Sequence, residues 1–195
     1  MTIPRYSALS ILIALPLLAG CDDKQSANAD DFQRALQNYH KDHAECVALP
    51  IGVPLGEPVS GSDPQRRQLD AMAGAGLLSA TPAPTPGATQ YALSATGETA
   101  ILKGDDPFLG GMRLCYAHRH ILEVVSFTAP AEIMGVKVSR ATYAYELRDI
   151  APWAGADLLQ EAFPQIKTAL GASKQTDTEG LALTSSGWVD ERMVR

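Results

Sequence analysis

Apolar residues recur at three- and four-residue steps from Phe32 through Ala35, Leu36, Tyr39 and His43 to Cys46, with Gln33, Arg34, Gln37, Asn38 and Lys41 between them. That period predicts a helix that Asp30 caps, that lies on a core and that carries Cys46 at its end. Residues 47–62, with three prolines and three glycines, read as an extended crossing without regular structure. Asp63-Pro64 then supplies a cap and a first-turn proline for a second helix, which buries Leu69, Met72 and Ala73 and closes at Gly74 or Gly76. The run SATPAPTPG (79–87) reads as a loop, and the Tyr91/Leu93 alternation as a strand with a turn at Thr96-Gly97.

The second half changes period. Residues 113–128 and 137–149 alternate as strands, the first with a break expected near Arg119. The stretch 151–171 returns to helical spacing, with Leu158, Leu159, Ala162, Phe163, Ile166 and Leu170 inward and Gly171 as its stop. Pro164 predicts a kink there or a helix that begins there. LALTSSGWV closes the chain as strand, turn and strand. The fold class that follows is α+β: N-terminal helices with a small hairpin, then an antiparallel sheet packed by the helix at about 155–170. Residues 31–195 form one domain, with a turn-rich stretch at 98–112 as the place to subdivide it.

The first twenty residues follow another logic. A single Arg5 precedes the apolar run Ala8 to Leu18, which ends in Leu18-Ala19-Gly20-Cys21. As a helix the run rises only about 16 Å, against a hydrocarbon core about 30 Å thick, so it reads as a cleaved export signal and not as a span. Leu-Ala-Gly-Cys resembles the lipobox of bacterial lipoproteins, and the chain as a whole resembles the uncharacterised lipoproteins of Gram-negative bacteria. The resemblance implies cleavage between Gly20 and Cys21, a diacylglycerol thioether on Cys21 and an acylated new amine. Two or more acyl chains make attachment effectively stable. Asp22 and Asp23 resemble the signal for retention in the inner membrane, which implies its periplasmic face as the address, with the outer membrane as the alternative. Residues 21–30 are then a lipidated tether.

Once Cys21 carries lipid, Cys46 and Cys115 remain, and an even pair in an oxidising compartment predicts a disulfide. Charge adds an exclusion. With 16 Lys+Arg against 22 Asp+Glu the chain has formal charge −6, too acidic to displace phosphate counterions from nucleic acid. An acidic body is also repelled by an anionic bilayer, so the lipid must do the holding. The segment LDAMAGAGLL, a loop and YALSATG resemble the helix, strand and wing of winged-helix domains over about 63–97, a likeness of shape that carries no DNA-binding function.

Candidate chemistry is sparse. His118-x-His120 puts two rings on one face of a strand, and His40-x-x-His43 lies at i, i+3 on the first helix, both arrangements that a metal site uses when a third ligand joins. The sequence contains no Gly-x-Ser-x-Gly, His-Glu-x-x-His or P-loop. The reading is therefore a non-catalytic, lipid-anchored envelope protein, with the membrane and an envelope protein as partners and no cofactor beyond the lipid on Cys21. The alternative is a small-ligand or metal binder using His118 and His120, and behind it an enzyme without a recognisable motif.

Overall fold

The computed structural model describes residues 26–49, 55–62, 64–102 and 111–194. Gly20, Cys21, Asp22, Asp23 and the cap expected at Asp63 lie outside the described residues. The first helix, α1 (Ala29–Asp42), starts earlier than Asp30. Asn28, extended at φ −144°, accepts the Asp31 N–H at 2.8 Å, and Asp30 and Asp31 fall in the first turn where they complement the helix dipole. Phe32, Leu36 and His40 repeat every four residues and are buried with Ala35. His43 was expected on that face, but the helix has ended by then. His43 is extended and exposed, and its ring stacks on Tyr39 at 3.9 Å. Cys46 belongs not to the helix but to strand β1 (Glu45–Ala48).

A second helix α2 (Pro64–Gly74) buries Leu69, Ala71 and Met72. Gly76, at φ +76°, ends it in a Schellman turn: Leu77 N–H donates to Met72 O at 2.9 Å and Gly76 N–H to Ala73 O at 3.0 Å. A small antiparallel sheet follows in the order β2 (Pro58–Val59), β4 (Thr89–Leu93), β3 (Leu78–Pro82). The start of SATPAPTPG is thus strand and only its end is loop, because β4 offers β3 a full ladder from Leu78↔Leu93 to Pro82↔Thr89. The turn expected at Thr96-Gly97 is the first turn of a helix, α3 (Ala95–Ala100), whose cap Ser94 Oγ accepts the Gly97 N–H at 3.0 Å.

The larger sheet is antiparallel, strongly curled and ordered β1-β6-β8-β9-β10, with β5 (Ile101–Leu102) added to β6 and β7 (Ala131–Ile133) to β8. Strand β6 (Arg113–Phe127) runs through Arg119 without a break; its irregularities lie further on, between Ile121 and Glu123 and between Val124 and Ser126. β8 (Val136–Arg148) pairs with β9 (Gln175–Thr184), which starts well before the expected Leu181, and β9 pairs with β10 (Gly187–Asp190).

The helix lying on this sheet is α1, which contacts β6 and β10 and so bridges the curl. The stretch at 155–170, expected in that role, splits at Phe163/Pro164 into α4 (Asp157–Ala162) and α5 (Pro164–Gly171), and α4 packs on α2. Each piece is too short to cover a sheet. Leu159, Phe163 and Ile166 are buried, while Leu158, expected inward, is exposed, since six residues of helix present only one face to the core. Two cores result. Leu69, Met72, Leu77, Tyr91, Leu114, Leu159 and Ile166 form one, and Phe32, Leu36, Ile121, Tyr143, Leu181 and Trp188 the other. Among the described residues no helix is long and apolar enough to cross a membrane.

The polar side of α1 also has a structural task. β1 pairs β6 only over residues 113–117, so beyond that point α1 takes the place of a strand. Gln37 Oε1 accepts the Ile121 N–H at 2.9 Å, and Gln33 Nε2 donates to Leu122 O at 3.1 Å. Two glutamines expected on the solvent face thus cover the open backbone groups of a sheet edge.

Candidate functional site

Strand alternation carries one face of the large sheet from apolar to charged. Ile121 and Leu181 share a core with Phe32 and Leu36 of α1, Tyr143 reaches from that core to His40 in its last turn, and the same parity brings Arg119, Tyr145, Asp177 and Glu179 alongside. There Arg119 Nε donates to Glu45 Oε2 at 2.6 Å and Nη2 to Glu45 Oε1 at 3.3 Å, a two-bond fork from β6 to β1. Nη1 donates to Asp177 Oδ2 at 2.7 Å and to the Tyr143 hydroxyl at 2.8 Å, with Glu179 Oε1 at 3.6 Å. The guanidinium lies 4.4 Å from the Tyr145 ring centroid.

Glu179 is shared with two more side chains, His40 and Arg192. His40 Nε2 lies 3.0 Å from Glu179 Oε2 and 3.3 Å from the Tyr143 hydroxyl. Arg192, in the 3-10 turn Glu191–Val194, reaches Glu179 at 2.6 Å and holds the fully buried Asp190 through Nε and Nη2, both at 2.7 Å. Its guanidinium stands 3.8 Å above the Tyr39 ring. Among the described residues every fully buried side-chain nitrogen or oxygen has a hydrogen-bond partner.

These pairings set the electrostatics. Burial works against the charge on Arg119, but its bonds to Glu45 and Asp177 outweigh that and hold it more basic than an ordinary arginine. Burial likewise opposes ionisation of Asp177 and Asp190. Arg119 and the Thr178 N–H in one case, and Arg192 in the other, pull both below the usual aspartate range. Tyr143 is pushed well above the usual phenol value, chiefly by burial.

The network forms one wall of a cavity of about 270 Å³ at the C-terminal end of α1. Tyr39, His43, Glu45, Arg113, Arg119 and Arg192 line it, with Cys46 beside them. Cys46 lies directly opposite Cys115 in the β1–β6 ladder and is joined to it by the disulfide, across a sequence separation of 69. The wall is mixed in sign, and each of its buried charges already faces an opposite one.

The histidines read from the sequence disperse. His118 Nδ1 donates to the His40 carbonyl at 3.3 Å, and His120 lies across the ladder from Glu146, in a shallow depression beside Gln33 and Gln37. His40 is drawn into the Glu179 network and His43 stacks on Tyr39. Among the described residues no group of three or more His, Cys, Asp or Glu is arranged to hold a metal ion. Sequence reading missed Arg119, Asp177 and Glu179. Their signal was the alternation of Asp177, Glu179 and Leu181, in phase with Arg119 and Ile121. A second cavity, of about 470 Å³, lies between α2 and α4, lined by Arg67, Asp70, Leu158 and Glu161.

Comparison with protein-family models, curated proteins and solved structures returns no match to the chain.

Proposed function

We propose that this chain is an exported lipoprotein, held at the periplasmic face of the inner membrane by acyl chains on Cys21, and that its body is a non-catalytic module binding an envelope protein. The observation that carries this reading is the placing of two features at opposite ends of α1. The described body begins at Ser26, whose carbonyl accepts the Trp188 indole N–H at 3.1 Å beside the helix start. The mixed-charge cavity opens at the other end, and 14 helical residues span about 21 Å. A body tethered at Cys21 therefore turns its polar cavity away from the bilayer, where a second protein can reach it. The Cys46–Cys115 bond suits the oxidising compartment that this reading requires.

The test is site-specific photocrosslinking in intact cells from position 43, on the cavity rim, with position 171 on α5 as control. The expected result is a discrete adduct with an envelope protein from position 43 only, lost on Arg113→Glu, a charge reversal at an exposed residue of the same rim. Adducts of equal yield from both positions, or indifference to Arg113→Glu, would overturn it.

A further inference from the structure

The hairpin β7–β8 closes through Met134 and Gly135, at φ +52° and +82°, between the paired residues Ile133 and Val136. This is a two-residue turn with both φ values positive, the geometry that favours Asn, Asp or Gly. A methionine there is strained, and the residue is 99% exposed, with Ile133 beside it 57% exposed and Val136 also exposed. Local conformational preference and solubility both argue against Met at this position. Breaking two rules at one residue points to a purpose outside the folded body.

The tip lies at the tether end of the molecule. Val138 pairs with Ala182, so Val136 stands level with Thr184, where the β9–β10 turn begins. At that end Trp188 holds the Ser26 carbonyl and packs edge-on against Phe32 at 4.9 Å, and Phe32 packs in the same way against Phe127 at 5.0 Å. Phe127 pairs with Ala141 at the root of the hairpin. Cys21 precedes Ser26 by five residues, a reach of at most roughly 18 Å. A lipid on Cys21 thus keeps this end of the body within roughly 18 Å of the headgroups.

We propose that the β7–β8 tip is a second membrane contact, with Ile133, Met134 and Val136 entering the interfacial layer of the bilayer that holds the lipid. The inference rests on the lipoprotein reading for its geometry. Apolar burial drives the contact and charge does not. Glu132 faces Lys137 across the hairpin, and Asp31 at the start of α1 is paired with Arg34. Binding should therefore be at least as strong on zwitterionic phosphatidylcholine vesicles as on vesicles containing phosphatidylglycerol, which repel the acidic body.

The experiment places an environment-sensitive fluorophore on Glu132→Cys in the full-length chain reconstituted in phosphatidylcholine vesicles, with Lys41→Cys at the far end of α1 as reference. The expected result is quenching by spin-labelled lipid at position 132 and none at 41, abolished by Met134→Asn. Asparagine suits the positive φ, so that variant folds at least as stably as the parent, and loss of quenching cannot come from unfolding. In the Cys21→Ser chain, Met134→Asn should lower vesicle partitioning by on the order of tenfold. Equal quenching at 132 and 41 in a chain that floats with the vesicles would overturn the hairpin contact and spare the lipid anchor. An unmodified Cys21 with a tip that still partitions in a Met134-dependent way would sink the anchor and leave the contact standing. Failure of the chain to associate with vesicles at all overturns both.

Discussion

Arg119 and Glu45 meet through two parallel hydrogen bonds that tie the central strand β6 to the short strand β1, at the point where α1 ends and the disulfide begins. The other side of the same guanidinium holds Asp177 on β9. One arginine thus joins three segments far apart in sequence. Its removal leaves Glu179, only 12% exposed at its side chain, with one cation fewer. Arg119→Met is expected to cost about 2 kcal/mol, less than breaking a fully buried pair, because Glu45 and Asp177 keep partial access to water while Glu179 does not. Arg119→Lys should recover only part of this, since an ammonium cannot form the fork. Urea denaturation of the three proteins checks both.

The depressed values of Asp177 and Asp190 predict how stability depends on acid. A carboxyl whose folded pKa lies below its unfolded value, about 3.9, contributes stability that is present above that value. It is lost as pH falls through the folded value. The urea midpoint is therefore expected to hold down to about pH 4 and to drop below it, with a shallower drop in Asp177→Asn.

The tyrosines predict the opposite limb. Burial pushes Tyr116 up to about 12, and burial with the Asp70 carboxylate does the same for Tyr91. Tyr143 and Tyr145 are raised too, chiefly by burial. A raised folded value gives stability that is complete below the unfolded pKa of about 10 and lost as pH rises through the folded value. Tyrosinate absorbance is expected to appear late, together with loss of the fold. Normal titration of all these phenols in a still-folded protein would contradict it.

The disulfide closes a loop across a separation of 69 residues. Cys46→Ala/Cys115→Ala is expected to lose about 2–4 kcal/mol, as the chain-entropy argument gives after allowance for residual structure. The readout is the shift in urea midpoint against the oxidised parent.

Gly97 lies in helix α3, where alanine would ordinarily gain about 0.5–1 kcal/mol. Here a Cβ would stand 2.0 Å from the Leu77 carbonyl oxygen, which accepts the Ser94 N–H that anchors the helix start. The clash wins. Gly97→Ala is expected to destabilise by about 1–3 kcal/mol, measured by thermal or urea unfolding.

Much of the fold was legible because burial and period agree where the elements are regular. Leu69 and Met72 gave α2, the alternation through Tyr143 and Tyr145 gave β8, and Pro164 marked the split between α4 and α5. The expectation of an oxidising compartment paired Cys46 with Cys115, and the disulfide is there. Asn28 and Asp30 are both capping residues within three positions, and only backbone geometry chooses Asn28 between them. Gln33 and Gln37 read as solvent-facing because sequence does not show that β1 stops short and leaves an edge to cover. Arg119 read as a break because a charge inside a strand looks like an interruption until Glu45 and Asp177, distant along the chain, are seen to neutralise it. His118 and His120 shared a face as expected, but what a face meets is a tertiary matter.

Intact-mass spectrometry of the chain recovered from cell membranes tests the anchoring at Cys21 most directly. The expected species is a polypeptide that begins at Cys21 and carries the added mass of acyl groups, and the Cys21→Ser chain is expected to leave the membrane fraction. A chain that retains its leader with an unmodified Cys21, or a serine variant that fractionates unchanged, would contradict it.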